Sequence, residues 1–239
     1  MRAERPGQHR RRRCYLVRHG HVDYFDRQGR PLDPRAVPLS QTGEQQVRAL
    51  AQGMQELHFD RLLCSDYPRA RQTLDLLLAG REASVEALPD LREIRAGRLR
   101  EIPAGAMRST VTGAYRDAAG PDASFLGGER WVEFQQRVLR RFFNLLADPS
   151  WESALIVSHD AVNRILLAWA AGIGLAGIAA FEQDTACLNI VDVDSDGSEV
   201  LGALIRTLNF TPYNPHKAGL VGTVLENLFS ALEPAALHA

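Results

Sequence analysis

Hydrophobic positions in this chain fall into two kinds of run. Short continuous apolar runs bounded by turn residues predict buried strands at 14–17, 61–64, 153–157 and 187–191. Alternation at 84–88 and a further run at 200–205 predict two more. Longer stretches repeat their apolar residues at helical spacing. Val47, Leu50, Ala51, Met54 and Leu57 form one such face, with Thr42 expected as its cap. Leu74, Leu77 and Leu78 form a second, in a helix that Pro68 suits at its first turn. Trp131, Phe134, Val138, Leu139, Phe142 and Leu145 form a third, and Val224, Leu225, Leu228, Phe229 and Leu232 a fourth. Strands that alternate with helices predict an α/β sandwich with a mostly parallel sheet. A hairpin turn at Asp194-Ser195-Asp196-Gly197 adds an antiparallel edge strand.

The expected organisation is one domain over residues 1–239, with three appendages. Residues 1–13 form a basic tail, read as a solvated terminus rather than a nucleic-acid arm. Residues 102–128 lack periodicity, are rich in Gly, Ala and Pro, and are read as a lid-like insertion. Residues 217–239 are a C-terminal helical extension whose apolar face packs on its own domain or, as the second reading, contacts another copy in a homodimer. Residues 165–181 carry no charge, but Gly172, Gly174 and Gly177 interrupt them. A buried helix and turn is expected there rather than a membrane span.

Composition adds little beyond this. Hydrophobic content of 45%, charged content of 24% and a net charge of −1 are ordinary for a soluble domain. They give no electrostatic case for a nucleic-acid or membrane partner. Cys14, Cys64 and Cys187 all lie in strand-like runs, and an odd count without close spacing reads as buried reduced thiols. With no apolar signal region after the arginines, the expected location is the cytoplasm.

The chemistry sits where strands end. Tyr15-Leu16-Val17 stops abruptly at Arg18-His19-Gly20, and Leu155-Ile156-Val157 stops at Ser158-His159-Asp160. A short strand before Ser65 runs into a helix whose first turn holds Arg69 and Arg71. In open α/β sheets ligands bind beyond such strand ends. Guanidinium groups, imidazoles and a helix N-terminus together suit phosphate. For Arg18-His19-Gly20 alone, a solvated arginine beside a packed histidine is an equal account; the repetition at three strand ends favours the site. Arg71, two residues beyond Arg69 on the helix, points elsewhere and is assigned to the surface.

In order along the chain, these segments resemble the phosphoglycerate mutase-like histidine phosphatases. Arg18-His19-Gly20 is similar to their Arg-His-Gly signature. Ser65 to Thr73 is similar to Ser-x-x-x-Arg-Ala-x-Gln-Thr, Leu91-Arg92-Glu93 with Gly97 to Leu-x-Glu-x-x-x-Gly, and Ser158-His159 to the second catalytic histidine. Gly127-Gly128-Glu129 resembles a further family feature. The resemblance implies a three-layer α/β/α sandwich and a metal-independent phosphatase without cofactor, acting on a small phosphorylated substrate. His19 is then the nucleophile that becomes phosphohistidine, Arg18, Arg69 and His159 hold the phosphoryl oxygens, and Glu93 is the general acid. A carboxyl beside several cations is expected to lose its proton readily, so bound phosphate is expected to help Glu93 keep it.

The chain also departs from the family. Many members carry Glu-Thr and a later Asn after the glycine, where His21, Val22 and Phe25 stand here. His21 is read as a polar side chain facing solvent, with substrate contact as the second reading. Asp160 is the rival acid, because one branch of these phosphatases uses the aspartate of a His-Asp pair. The fit of 91–97 favours Glu93, which leaves Asp160 to serve the start of its helix. The short 102–128 insertion favours a phosphatase over phosphoglycerate mutase-type transfer. A noncatalytic phospholigand-binding module on the same fold is the reading from a different class, and the full residue set argues against it.

Overall fold

The computed structural model describes residues 10–236 apart from Arg27, Pro31, Gly197 and Ser198. Strands and helices follow one another as β1 (Arg10–Arg18), α1 (Gln41–Gly53), β2 (Arg61–Ser65), α2 (Pro68–Leu78), β3 (Val85–Leu88), α3 (Met107–Thr112), α4 (Trp131–Ala147), β4 (Ser153–Ser158), α5 (Asp160–Ala170), β5 (Leu188–Asp196), β6 (Glu199–Phe210) and α6 (Val224–Ala236). The strands form one sheet in the order β3-β2-β4-β1-β5-β6. The first four positions of that order pair in parallel, and β5 and β6 add two antiparallel strands.

Three layers follow from the period of two along each strand. Cys14 and Leu16 of β1 face one side, with Leu63 and Ile156, and pack beneath Trp131, Phe134, Val138, Ile165 and Phe229. Tyr15 and Val17 face the other side, with Leu62, Cys64, Leu155 and Val157, under Val47 and Leu50 of α1 and Leu74 and Leu77 of α2. Central strands buried on both faces explain why they read as continuous apolar runs rather than alternating ones.

Several expectations change. Of the basic tail, Arg10–Arg13 belong to β1. Antiparallel pairing sets Arg13 opposite Asp192 and Arg11 opposite Asp194, and both arginines bond those carboxylates bidentately. Arg12 is buried, its guanidinium 4.8 Å from the Trp151 ring centre. The block that looks solvated in one dimension is half of an acid–base ladder whose partners lie nearly two hundred residues away. Residues 1–9 lie outside the described residues, as does Gly197 of the expected turn.

Ser40, not Thr42, caps α1; its side chain accepts from the Gly43 amide. β6 runs to Phe210, well past 205. Residues 165–181 are a helix and a 3-10 turn bent by 120°, and among the described residues no single helix is long and apolar enough to cross a membrane. The three cysteines are buried free thiols, pushed up to about 12, 11 and 12 for Cys14, Cys64 and Cys187 by burial. Leu225 and Phe229 of α6 are buried in the larger core.

Candidate active site

β1 and β4 are parallel neighbours in a register that sets Arg18 beside Ser158. The residues that follow, His19 and His159, therefore leave the sheet side by side, and the His19 amide donates to the Ser158 carbonyl. Their rings meet edge to face with centroids 5.1 Å apart. β2 lies on the far side of β4, so Ser65 and the first turn of α2 enter the same crevice. At Gly20 the chain turns away against α1. A Cβ there would lie 2.6 Å from the Gly43 carbonyl oxygen, and one at Gly43 would lie 2.1 Å from that of His21. Only paired glycines permit this approach.

The hydrogen bonds define both tautomers. His19 Nδ1 lies 2.7 Å from the Gly20 carbonyl oxygen, which can only accept, so Nδ1 carries the proton. Nε2 is left as an acceptor, and Arg69 Nε donates to it at 3.1 Å. Arg69 Nη2 lies 3.3 Å from His159 Nδ1 and donates there. His159 Nε2 is then the protonated nitrogen, 2.8 Å from Ser65 Oγ. Burial, with Arg69 and then Arg18 nearby, holds His19 well below the usual histidine range. Burial, Arg69, His19 and Arg18 do the same to His159. Both rings are neutral at pH 7.

Arg18 is buried at the end of β1, and its Nη1 donates to the Gln183 carbonyl. Its Nε finds no acceptor among the described residues. Arg69 is buried too and donates through Nη1 to the Pro34 carbonyl. Thr73 ties α2 to the turn by accepting from the Gly20 amide and donating to the Arg69 carbonyl. Tyr67 caps the crevice wall, its ring 5.4 Å from that of His159 and under the guanidinium groups of Arg69 and Arg92.

Glu93 reaches the same crevice from the loop after β3. Its Oε1 accepts from the Ile94 amide at 3.0 Å and from the Ala161 amide, at the N-terminus of α5, at 3.2 Å. Contrary to expectation, its carboxyl is pushed up to about 7 despite the neighbouring cations. Burial is the largest cause and Asp160 the next, and together they outweigh Arg18 and Arg69.

The Glu93 loop is fixed from behind. Glu129 accepts from the Arg95 amide at 3.1 Å and is held by Arg137, which also donates to the Asp90 and Arg92 carbonyls. Gly97 and Gly128 let the two backbones touch: a Cβ on Gly128 would sit 2.2 Å from the Arg95 carbonyl oxygen, and one on Gly97 2.4 Å from that of Leu126. This contact accounts for both glycines of those sequence segments.

His21 stands outside this group, its Nδ1 2.8 Å from Ser40 Oγ at the start of α1. Asp160 is buried, but its oxygens are engaged by Arg164 Nε at 2.6 Å and by the Tyr115 hydroxyl at 3.1 Å. Gln183 and Tyr115 carried no local sequence signal, since each acquires its role only through distant partners. A groove of about 360 Å³ along the insertion is lined by Ser109, Asp117, Ser124 and Trp131 among others, and includes neither histidine. Among the described residues no group of His, Cys, Asp and Glu side chains is arranged to hold a metal ion.

Comparison with known proteins agrees with this geometry. The adenosylcobalamin/alpha-ribazole phosphatase of Salmonella typhimurium strain LT2 is 30% identical over 183 residues, covering 76% of this chain and 90% of the relative. Its Escherichia coli K12 counterpart is 27% identical over 199 residues, covering 82% and 95%. The crystal structure of a putative alpha-ribazole-5'-P phosphatase from Escherichia coli K-12 superposes with a TM-score of 0.66 at 26% identity, over 83% of this chain and 96% of that one. A mycobacterial glucosyl-3-phosphoglycerate phosphatase shares the fold, with a TM-score of 0.68 at 22% identity over 84% and 99%. The profile of the histidine phosphatase superfamily, branch 1, matches residues 14–204, and the chain belongs to that family of phosphatases.

Proposed function

We propose that this phosphatase hydrolyses a small organic phosphate monoester with His19 Nε2 as nucleophile. The observation that carries the reading is the His19 tautomer. Its Nδ1 proton is committed to the Gly20 carbonyl, so the lone pair of Nε2 points into a crevice of cationic donors. Neutral imidazole is nucleophilic near pH 7.

In the first half-reaction Nε2 bonds to phosphorus as the ester P–O bond breaks in line. Arg18 and Arg69 hold the nonbridging oxygens, where preorganised donors stabilise transition-state charge, and His159 joins them once a proton stands on Nδ1, the nitrogen that faces Arg69. Arg18 Nε, buried without an acceptor, suits one of those oxygens. The Glu93 proton passes to the departing alkoxide. The Gly20 carbonyl keeps the phosphorylated ring from losing its Nδ1 proton. In the second half-reaction Glu93 takes a proton from the attacking water, the N–P bond breaks, and phosphate leaves with the enzyme restored.

The named activities of the relatives make α-ribazole 5'-phosphate the first ester to assay, beside sugar phosphates and phosphoamino acids. The test is rapid quench with labelled substrate. Acid-labile, base-stable label should accumulate on His19, and wild-type-like turnover by His19→Ala would refute the mechanism.

A further inference from the structure

We propose that Asp160 is a positioning residue for the acid: clamped between Tyr115 and Arg164, it holds a negative charge beside Glu93 and so keeps the Glu93 carboxyl carrying its proton in the free enzyme. The inference rests on the reading of Glu93 as proton donor.

Glu93 and Asp160 meet at one helix end. Asp160 is the first residue of α5, and the next amide, that of Ala161, donates to both Glu93 oxygens at 3.2 and 3.4 Å. A free helix amide favours a carboxylate over a carboxylic acid. Two cations push the same way, Arg18 from β1 and Arg69 from α2. Facing them are Asp160 from α5 and the neutral hydroxyl of Tyr115 from the insertion. Glu93 nonetheless stays high, at about 7, with Asp160 the largest contribution after burial. Without the second carboxylate, the cations and the amide would oppose burial alone.

Asp160 is built for a fixed charge rather than for proton transfer. Its Oδ1 accepts from Arg164 Nε at 2.6 Å in an ion pair in which both side chains are nearly inaccessible. Its Oδ2 accepts from Tyr115, whose ring lies 4.2 Å from the Arg164 guanidinium carbon. Arg164 in turn donates to the Ile178 carbonyl and to Glu182, which spreads its charge away from Asp160. His159, not Asp160, occupies the cap position of α5. Asp160 stands in the first turn of α5, as expected from sequence, and its carboxylate does more there than answer the helix dipole. Because Tyr115 belongs to the insertion, the same contact latches that segment onto α5.

The test is the pH dependence of kcat/KM on an alkyl phosphate and on nitrophenyl phosphate. In Asp160→Asn the basic limb for the alkyl ester should move down by roughly one unit, a loss of about tenfold above both limbs that shrinks toward acid pH. The aryl ester should be little affected at any pH, and Asp160→Glu should restore the limb. An unmoved limb, or an equal loss on both esters at every pH, overturns the proposal. If thermal melts show Asp160→Asn to be poorly folded, Asp160→Ser, which removes the same charge with a smaller side chain, is read instead, and a limb identical to wild type then overturns the proposal. The Glu93→Gln variant separates the two ideas. If it shows no alkyl-selective loss, the reading of Glu93 itself is lost. If it does while Asp160→Asn leaves the limb in place, only this inference is lost.

Discussion

Arg69 Nε donates a hydrogen bond to His19 Nε2 at 3.1 Å, so the guanidinium occupies the lone pair of the neutral ring. In the proposed mechanism the group that holds the nucleophile is also the one that must release it. Phosphate oxygens are better acceptors for an arginine than an imidazole nitrogen is. In the proposed mechanism an incoming dianion draws the guanidinium onto itself and so exposes Nε2.

Arg69→Met should therefore lose transition-state binding on every ester alike. The expected fall in kcat/KM is on the order of 10²–10³-fold, the usual effect of deleting one oxyanion donor. Vanadate inhibition, which needs the same donor, should weaken in parallel. A variant that binds vanadate normally would place Arg69 outside the phosphoryl site.

Leaving groups report the acid. An alkoxide needs a proton as it departs, whereas nitrophenolate leaves without one. Glu93→Gln should lose roughly 10²–10⁴-fold on alkyl phosphates and far less on nitrophenyl phosphate. The same selective loss in Asp160→Asn at all pH values, with Glu93→Gln unaffected, would make Asp160 the acid.

Under the proposed mechanism the pH profile of kcat/KM follows from the ionisation of two groups, His19 and Glu93. His19 must be neutral, and it is held well below 6.5, so its limb lies on the acid side. Glu93 must be protonated, and at about 7 it sets the alkaline limb. Alkyl-ester activity should thus decline as pH rises through about 7. With nitrophenyl phosphate that decline should flatten, because the acid is no longer required. Stopped assays across pH 5–9 on both esters check this.

The C-terminal helix is an intrachain part of the core by its contacts. Leu225 and Phe229 are buried, the Val224 amide donates to Glu182, and Arg108 lies over the Phe229 ring. Truncation after Lys217 should cost about 1.5–3 kcal/mol for each of those two side chains and lower the melting temperature. Mass in solution should stay unchanged. Dissociation of a dimer on truncation would instead assign this face to a second copy.

How much of this was legible in the chain depends on distance along it. Strand ends announce themselves locally, because an apolar run stopping at Arg18-His19-Gly20 or Ser158-His159 is written in adjacent residues. The α/β layering was equally readable, since periods of two and of three to four are local properties. The ladder of Arg11 and Arg13 with Asp194 and Asp192 was not, because only the pairing of β1 with β5 brings these distant residues together. The same holds for the acid. Glu93 is singled out by its segment, but its proton affinity is not legible there, because burial and Asp160 outweigh the neighbouring cations. Pairwise charge and desolvation depend on separations and exposures that only the folded chain defines. The sequence determined which groups are delivered to the crevice; the tertiary structure alone decided which nitrogen of His19 carries the proton and that the Glu93 carboxyl is pushed up rather than down.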